Sequence, residues 1–251
     1  MNYLALASDY DGTLASDGRV LEPTLAKLRM LKESGRKVIL VTGRELPELI
    51  GIFPEIDVCD VVVAENGAVL YWPQDKKEEI LGEAPTPEFI AEMDKHGVLP
   101  YSVGRVIFAT WRPHESIVLE VIQRLGLGYQ IIFNKKAVMV LPGAINKATG
   151  LAKALERLEI NGDNCVGVGD AENDFAFLDI CGVAAAVENA LESLKSRCDV
   201  VMSKDHGSGV EELIDQMLAD DLQRLGTRRA RKETVERSVD HAEKRQTQPT
   251  K

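Results

Sequence analysis

The sequence is poor in cysteine and in aromatic residues, and it contains no long apolar run. Its four cysteines form no CxxC pair, which argues against a disulfide framework or a cysteine-based zinc site and predicts free thiols in a reducing compartment. No apolar stretch approaches the roughly 20 residues of a membrane-spanning helix, and the first residues show no signal-peptide pattern. We therefore expect a cytoplasmic chain with no membrane partner.

The chain also lacks an excess of positive charge, since 40 Asp/Glu against 30 Lys/Arg give a net charge of −10. This excludes a general electrostatic attraction to nucleic acid or to anionic membranes. The exception is the segment 226–251, where eight Lys/Arg and four Asp/Glu give a local charge of +4. That segment has few aliphatic residues, so we predict a disordered tail or a solvated helix. It leaves nucleic-acid binding open as a minor alternative.

The chain of 251 residues is 45% hydrophobic, which is enough for a main domain and a smaller one. In the first and last parts of the chain, continuous apolar runs alternate with helical patterns. This alternation is typical of a parallel sheet covered on both faces. The predicted strands are 4–7, 37–42, 61–64, 165–168, 183–187 and 200–202. The predicted helices are 22–34, 46–53, 147–158, 172–180, 190–195 and 211–225.

The middle of the chain has a different pattern and predicts a small α+β insert. Its predicted elements are a helix ending at 95, a strand over 103–110, a helix over 113–125, and a hairpin of strands 129–133 and 137–141. We predict a catalytic core made of 1–81 and 143–225, an insert over 82–142, and the tail over 226–251.

Polar residues cluster where strands end or where a helix begins. The four clusters are Asp9/Asp11, Thr42-Gly43-Arg44, Lys147, and the run from Asp170 to Asp174. In open α/β sheets, ligands bind beyond the carboxyl ends of the strands, so distant clusters can meet in one crevice. Two carboxylates at about 4 Å repel by roughly 4 kcal/mol at an effective dielectric of about 20. A cation in that crevice would explain why the carboxylates are gathered there.

The combined clusters suit phosphoryl transfer. Asp9 could attack phosphorus, and Asp11 could protonate the leaving oxygen and then activate water. Thr42 and the N–H groups near Gly43 could hold the phosphoryl oxygens, and Lys147 could neutralise their charge. The predicted ligands of a Mg²⁺ ion are Asp9, Asp11, Asp170 and Asp174.

Each cluster also has a simpler interpretation when it is taken alone. Asp9 and Asp11 could cap a turn, Lys147 could be a solvated lysine, and the acidic run could cap a helix. An EF-hand is excluded, because Leu14 stands where its loop needs glycine. The four clusters together, in this order, favour the catalytic interpretation.

These segments resemble the motifs of the haloacid dehalogenase superfamily. The matching runs are DYDGT (9–13), VTGR (41–44), NKATGL (146–151) and GVGDAENDFAFL (167–178). The resemblance implies a Rossmann-like three-layer α/β/α core and an aspartyl-phosphate mechanism. The insert resembles a small type-IIB (Cof-like) cap, and ENGA (65–68) resembles a turn of that branch. The compact cap and Thr110-Trp111-Arg112 resemble archaeal phosphoglycolate phosphatases, and sucrose-phosphate phosphatases share the architecture.

The sequence therefore predicts a Mg²⁺-dependent phosphatase that acts on a small phosphorylated metabolite, such as phosphoglycolate or a sugar phosphate. Its predicted substrate-binding residues are Gly43, Arg44, Asn66 and Asn173, and Trp111 and Arg112 could reach the substrate from the cap. Two alternatives remain open at this point. One is a phosphomutase or phosphotransferase on the same scaffold, and the other is a non-catalytic binding protein that uses the basic tail.

Overall fold

The computed structural model describes residues 1–134 and 136–223. Its main sheet has eight strands in the order β12-β11-β10-β1-β2-β3-β4-β5. The strands of this sheet are β1 (Ala5–Asp9), β2 (Lys37–Val41), β3 (Val61–Ala64), β4 (Val69–Trp72), β5 (Lys77–Ile80), β10 (Cys165–Gly169), β11 (Val183–Ala186) and β12 (Val200–Val201). The prediction of a mixed α/β fold with a mostly parallel sheet is confirmed.

The six strands from β12 to β3 are parallel, and the central ones are almost fully buried. Their apolar runs do not alternate because helices cover both faces of the sheet. The β4–β5 hairpin adds two antiparallel strands at one edge, which the sequence analysis did not predict. Its charged second strand lacks the apolar pattern that marked the other strands.

Helices on the two faces of the sheet complete the core, with α1 packed on α8 and α5 packed on α6. The core helices are α1 (Glu22–Glu33), α2 (Leu46–Ile52), α5 (Lys147–Arg157), α6 (Phe175–Asp179), α7 (Glu192–Lys195) and α8 (His206–Asp220). The prediction for α8 was wrong at its start, because the helix begins five residues before 211 and its first turn contains Gly207 and Gly209. A short 3₁₀ turn, Glu172–Asp174, precedes α6.

A second sheet, antiparallel throughout, has the strand order β6-β7-β9-β8. We call this sheet and the two helices on it the cap. Its elements are α3 (Pro87–Lys95), β6 (Tyr101–Val103), β7 (Phe108–Trp111), α4 (Glu115–Arg124), β8 (Tyr129–Asn134) and β9 (Ala137–Pro142). The cap has an apolar cluster of its own, which includes Phe89, Phe108 and Val121.

The predicted single strand over 103–110 was wrong, because a tight turn divides it into β6 and β7. The Gly104 N–H donates to the Ile107 carbonyl at 2.8 Å and closes this turn.

The predicted domain boundaries remain a prediction, and the tail over 226–251 lies outside the described residues. Within 1–134 and 136–223, no helix has the length and apolar composition that crossing a membrane requires.

A partly buried contact joins the chain's beginning to the end of α8. Asp221, which has a left-handed backbone (φ 56), accepts from the Arg36 guanidinium at 3.0 Å and from the backbone N–H groups of Asn2 and Tyr3. Burial alone would raise the pKa of Asp221, but these hydrogen bonds outweigh burial and lower it. The ionised carboxylate therefore stabilises the fold.

We expect Asp221→Asn to lower the free energy of unfolding by about 1–2 kcal/mol at pH 7, since asparagine tolerates the same backbone. Because the folded-state pKa is depressed, the stabilisation is present above the unfolded carboxyl pKa and is lost as pH falls through the lower folded value. Urea titrations at pH 7 and pH 3 measure this difference. The exposed Asp75→Asn variant is the control, and an equal loss at both pH values would contradict the prediction.

Candidate active site

Parallel strand order brings the predicted site residues to one edge of the main sheet. Asp9 is the last residue of β1, Asp170 follows β10, and Thr42 follows β2. Since β1 lies between β10 and β2, the carboxyl ends of all three strands adjoin. Residues more than a hundred positions apart in sequence therefore lie together, as the clustering at strand ends predicted.

Three buried carboxylates form the centre of this site. Asp9, Asp170 and Asp174 each offer an oxygen, and these oxygens lie within 4.8 Å of one another. Asp174 Oδ2 accepts from the backbone N–H groups of Asp170 at 3.0 Å and Ala171 at 3.1 Å. These bonds fold the loop after β10 back on itself, which holds two of the three carboxylates in place.

Lys147 joins two of the carboxylates from the first residue of α5. Its Nζ donates to Asp9 Oδ1 at 2.5 Å and to Asp174 Oδ1 at 2.7 Å, and its side chain is only 2% exposed. The Asn146 side chain caps the helix by accepting from the N–H groups of Ala148 and Thr149. The helix start is therefore fixed, and with it the position of the ammonium group.

Gly150 lets α5 come close to the turn after β3. A Cβ at this position would lie 2.4 Å from the Gly67 Cα, so only glycine permits this approach. The close packing fixes the start of the helix on this turn, from which the Lys147 side chain reaches Asp9 at the end of β1.

The pKa values of Asp9 and Lys147 are both raised, but burial acts on them in opposite directions. Burial, followed by the Asp174 charge, raises the pKa of Asp9 against the opposing effect of Lys147. Burial alone would lower the pKa of Lys147, but the charges of Asp174 and Asp9 raise it. Lys147 thus stays protonated, while Asp9 needs further positive charge nearby to be fully ionised at neutral pH.

The residues of this cluster fit a hard divalent cation. Their donors are carboxylate oxygens, which Mg²⁺ and Ca²⁺ prefer, and they lie close together. Two glycines leave room for these carboxylates. A Cβ at Gly12 would lie 2.3 Å from Asp170 Oδ2, and a Cβ at Gly169 would lie 2.6 Å from Asp174 Oδ2. Lys147 offsets only part of the charge of three carboxylates.

The structure does not bring the Asp11 carboxylate into this cluster. Both of its oxygens accept from Arg44, from Nε and Nη2 at 2.7 Å each. The Arg44 guanidinium also binds Glu48, and its hydrogen bonds with Asp11 raise the pKa of Arg44. The Asp11 side chain is 32% exposed against 7% for Asp9. We therefore withdraw the Asp11 side chain from the predicted metal ligands, because a bidentate ion pair occupies it.

The segment after β2 lies beside Asp9. The Thr42 hydroxyl accepts from the Arg44 N–H at 3.1 Å, and the Thr42 carbonyl accepts from the Asn66 N–H at 2.9 Å. Asn66 is buried next to Gly43, and its Nδ2 donates to Met139 Sδ of the cap at 3.0 Å. Asn173 is half-buried in the 3₁₀ turn. Asn66 and Asn173 thus lie around the site but do not line its cavity.

A cavity of about 310 Å³ separates the carboxylates from the cap. Its core lining includes Asp9, Asp11, Gly43 and Arg44. The cap residues that line it are Ser102, Ile107, Ala109, Trp111, Asn134, Ala137 and Met139. A larger groove of about 640 Å³ along α8 contains no comparable cluster, so chemistry rather than size identifies the site.

The sequence analysis named Trp111 in this lining but missed the other cap residues. The available signal was the alternation of side chains along β7, which puts Ala109 and Trp111 on one face and Phe108 on the other. Arg112, by contrast, packs over the Phe133 ring.

Comparison with known proteins agrees with this geometry. Residues 6–96 and 128–214 match the family described as haloacid dehalogenase-like hydrolase. The chain is 29% identical to phosphoglycolate phosphatase 2 of Saccharolobus solfataricus, over 87% of this chain and 94% of that protein. It is 30% identical to phosphoglycolate phosphatase of Methanothermobacter thermautotrophicus, over 85% of this chain and 98% of that protein.

A crystal structure described as a HAD/Cof-like hydrolase from Plasmodium vivax has the same fold, with a TM-score of 0.73 at 19% identity. The alignment covers 86% of this chain and 96% of that one. The chain belongs to the haloacid dehalogenase-like hydrolase family. The predicted family is therefore confirmed. The prediction of a phosphoric monoester hydrolase is also confirmed, by the match to this hydrolase family and by the relatives named phosphatase.

Proposed function

We propose that this protein is a Mg²⁺-dependent phosphatase that hydrolyses a small phosphorylated metabolite through an aspartyl-phosphate on Asp9. The observation that carries the proposal is the buried Lys147 ammonium, which bridges Asp174 and Asp9, and Asp9 in turn lines the cavity beneath the cap. The relatives named phosphoglycolate phosphatase make phosphoglycolate the first candidate substrate, and sugar phosphates are the second.

In the proposed first step, an Asp9 carboxylate oxygen attacks phosphorus. The new bond joins this oxygen to phosphorus, and the bond between phosphorus and the leaving-group oxygen breaks. Asp11 lines the same cavity and donates a proton to the leaving oxygen. A substrate phosphate competes with Asp11 for Arg44, which frees Asp11 for this role. Lys147 and the N–H groups around Gly43 balance the phosphoryl charge.

In the proposed second step, Asp11 takes a proton from water, and the water oxygen attacks phosphorus. The bond between phosphorus and Asp9 breaks, so inorganic phosphate leaves and the Asp9 carboxylate is restored. A Mg²⁺ ion held by Asp9, Asp170 and Asp174 would supply the positive charge that favours ionised Asp9 and neutralises the phosphoryl oxygens. The cap residues that line the cavity lie over Asp9 during both steps.

A phosphatase screen tests the proposal. Phosphoglycolate, sugar phosphates and nucleotides are each assayed for phosphate release with Mg²⁺ and again with EDTA. We expect release from a small metabolite only when Mg²⁺ is present. Transfer of the phosphoryl group to a sugar acceptor, without release, would instead favour a phosphomutase. The absence of both reactions, in protein shown to be folded, would refute the proposal.

Asp11→Asn tests the division of roles between the two aspartates. Because the amide can neither donate a carboxyl proton nor accept one from water, we expect kcat to fall by about 10²–10⁴-fold. Phosphoenzyme formed from an acyl phosphate should persist, since that leaving group departs without protonation. Rapid-quench measurement of labelled protein detects this species. Unchanged kcat would remove the acid–base role from Asp11.

A further inference from the structure

We propose that Glu65 is a positioning residue that holds the cap over the nucleophile by binding the turn between β6 and β7. This inference rests on the proposed function, because it concerns how the cap completes that site. Glu65 is fully buried, and it takes no part in the chemistry described above. Its carboxylate extends from the core to the cap.

Three consecutive backbone N–H groups of the cap donate to this carboxylate. Arg105 donates to Oε1 at 2.9 Å, and Val106 and Ile107 donate to Oε2 at 2.9 and 3.0 Å. These N–H groups belong to the tight turn that divides β6 from β7. A buried carboxylate that accepts several N–H groups forms strong, charge-assisted bonds, so the turn is held at a defined place.

The local sequence on both sides is adapted to this contact. Glu65 and Asn66 both have left-handed backbones, with φ of 51° and 53°, an arrangement that non-glycine residues seldom adopt. On the cap side, a Cβ at Gly104 would lie 2.6 Å from Glu65 Oε1. Glycine at 104 therefore allows the carboxylate to reach the turn.

The contact bears on the active site through the residues next to it. Ile107, whose N–H binds Glu65, lines the cavity above Asp9. Asn66 follows Glu65 and contacts both Met139 of the cap and Gly43 of the core. A shift of the turn would thus move the cavity lining relative to Asp9, and displacements of about 1 Å can cost about 10²-fold in rate.

Glu65→Gln tests the proposal, because the amide keeps the shape but turns an N–H group toward one of the three donors. Hydrogen exchange followed by mass spectrometry reports directly on the segment 104–108. We expect exchange there to be about tenfold or more faster in the variant. Gly104→Ala disturbs the same contact from the cap side, and it should give the same result.

Comparing the loss of activity on two kinds of substrate distinguishes a positioning role of Glu65 from general destabilisation of the protein. For the better of phosphoglycolate and glucose 6-phosphate, kcat/KM should fall by about 10–100-fold in both variants. For acetyl phosphate, whose leaving group is small and needs no proton, the fall should stay within about threefold. Glu78→Gln is the matched control, since Glu78 binds the exposed side chain of the same Arg105. It should change neither measurement.

Unchanged exchange at 104–108 in both variants would overturn the inference. So would an equal loss of activity with all substrates, because that is the result of general destabilisation. If the unmodified protein hydrolyses none of the three compounds, the proposed function fails, and hydrogen exchange still decides whether Glu65 holds the turn.

Discussion

Asp9→Asn is expected to abolish turnover, with kcat reduced by roughly 10⁴-fold or more. The amide has the shape of the carboxyl group but cannot form an acyl phosphate by attacking phosphorus. Because burial and Asp174 already raise the pKa of Asp9, a neutral group at this place is well tolerated by the fold. The free energy of unfolding should therefore change by no more than about 1 kcal/mol.

Steady-state phosphate release and labelling of the protein by a phosphate donor measure this effect, and thermal unfolding confirms that the variant is folded. The control is Asp17→Asn, which changes an exposed aspartate eight residues further along the chain. It should retain normal activity. Near-normal turnover in folded Asp9→Asn protein would rule out Asp9 as the nucleophile.

Lys147→Met should cause the largest loss of stability of any single change in the site. Methionine matches the length of the side chain but leaves Asp9 and Asp174 buried without their shared cation. Breaking a buried ion pair by removing one partner costs about 3–5 kcal/mol. The loss should become smaller at low pH, where the carboxyl groups take up protons and no longer repel one another.

Chemical denaturation without divalent cations, at pH 7 and again at lower pH, measures this effect. Lys153→Met provides the matched control on the same helix, since Lys153 pairs with Glu156 at the surface, where such pairs contribute about 0–1 kcal/mol. A similar free energy of unfolding for the two methionine variants would show that Lys147 does not balance the buried carboxylates.

Most of the core could be predicted from the sequence because its strands are apolar without interruption. Runs such as 37–41 and 61–64 have no polar face, which indicates a sheet covered on both sides. Once the strands are parallel, their carboxyl ends share an edge. The proximity of Asp9, Thr42 and Asp170 then follows from this shared edge, without knowledge of any distance.

The orientation of Asp11 could not be predicted in this way. Its spacing from Asp9 suggests two carboxylates on one face, but β1 ends at Asp9 and the chain turns at Gly12, with φ of 91°. The direction of the Asp11 side chain then depends on Arg44, which reaches it from the next strand. Residue spacing predicts side-chain direction only within a regular strand or helix, and Asp11 lies after the end of β1.

The turn between β6 and β7 was missed for a related reason. Three of its N–H groups are bound by Glu65, which lies about forty residues earlier, and the local sequence marks the break only by Gly104. The β4–β5 hairpin was missed because Lys77–Ile80 is rich in charge, whereas the prediction relied on apolar runs. The first error concerns a contact between distant segments, whereas the second concerns the composition of a local hairpin.

The two outer strands of the main sheet limit what this protein can associate with. An open strand edge offers unpaired N–H and carbonyl groups to any other extended chain, which promotes aggregation. Here one outer strand, β12, is only two residues long. The other, β5, carries Lys77, Glu78 and Glu79, whose charges disfavour the approach of a second sheet. The main sheet is thus protected at both of its edges against pairing with a second sheet.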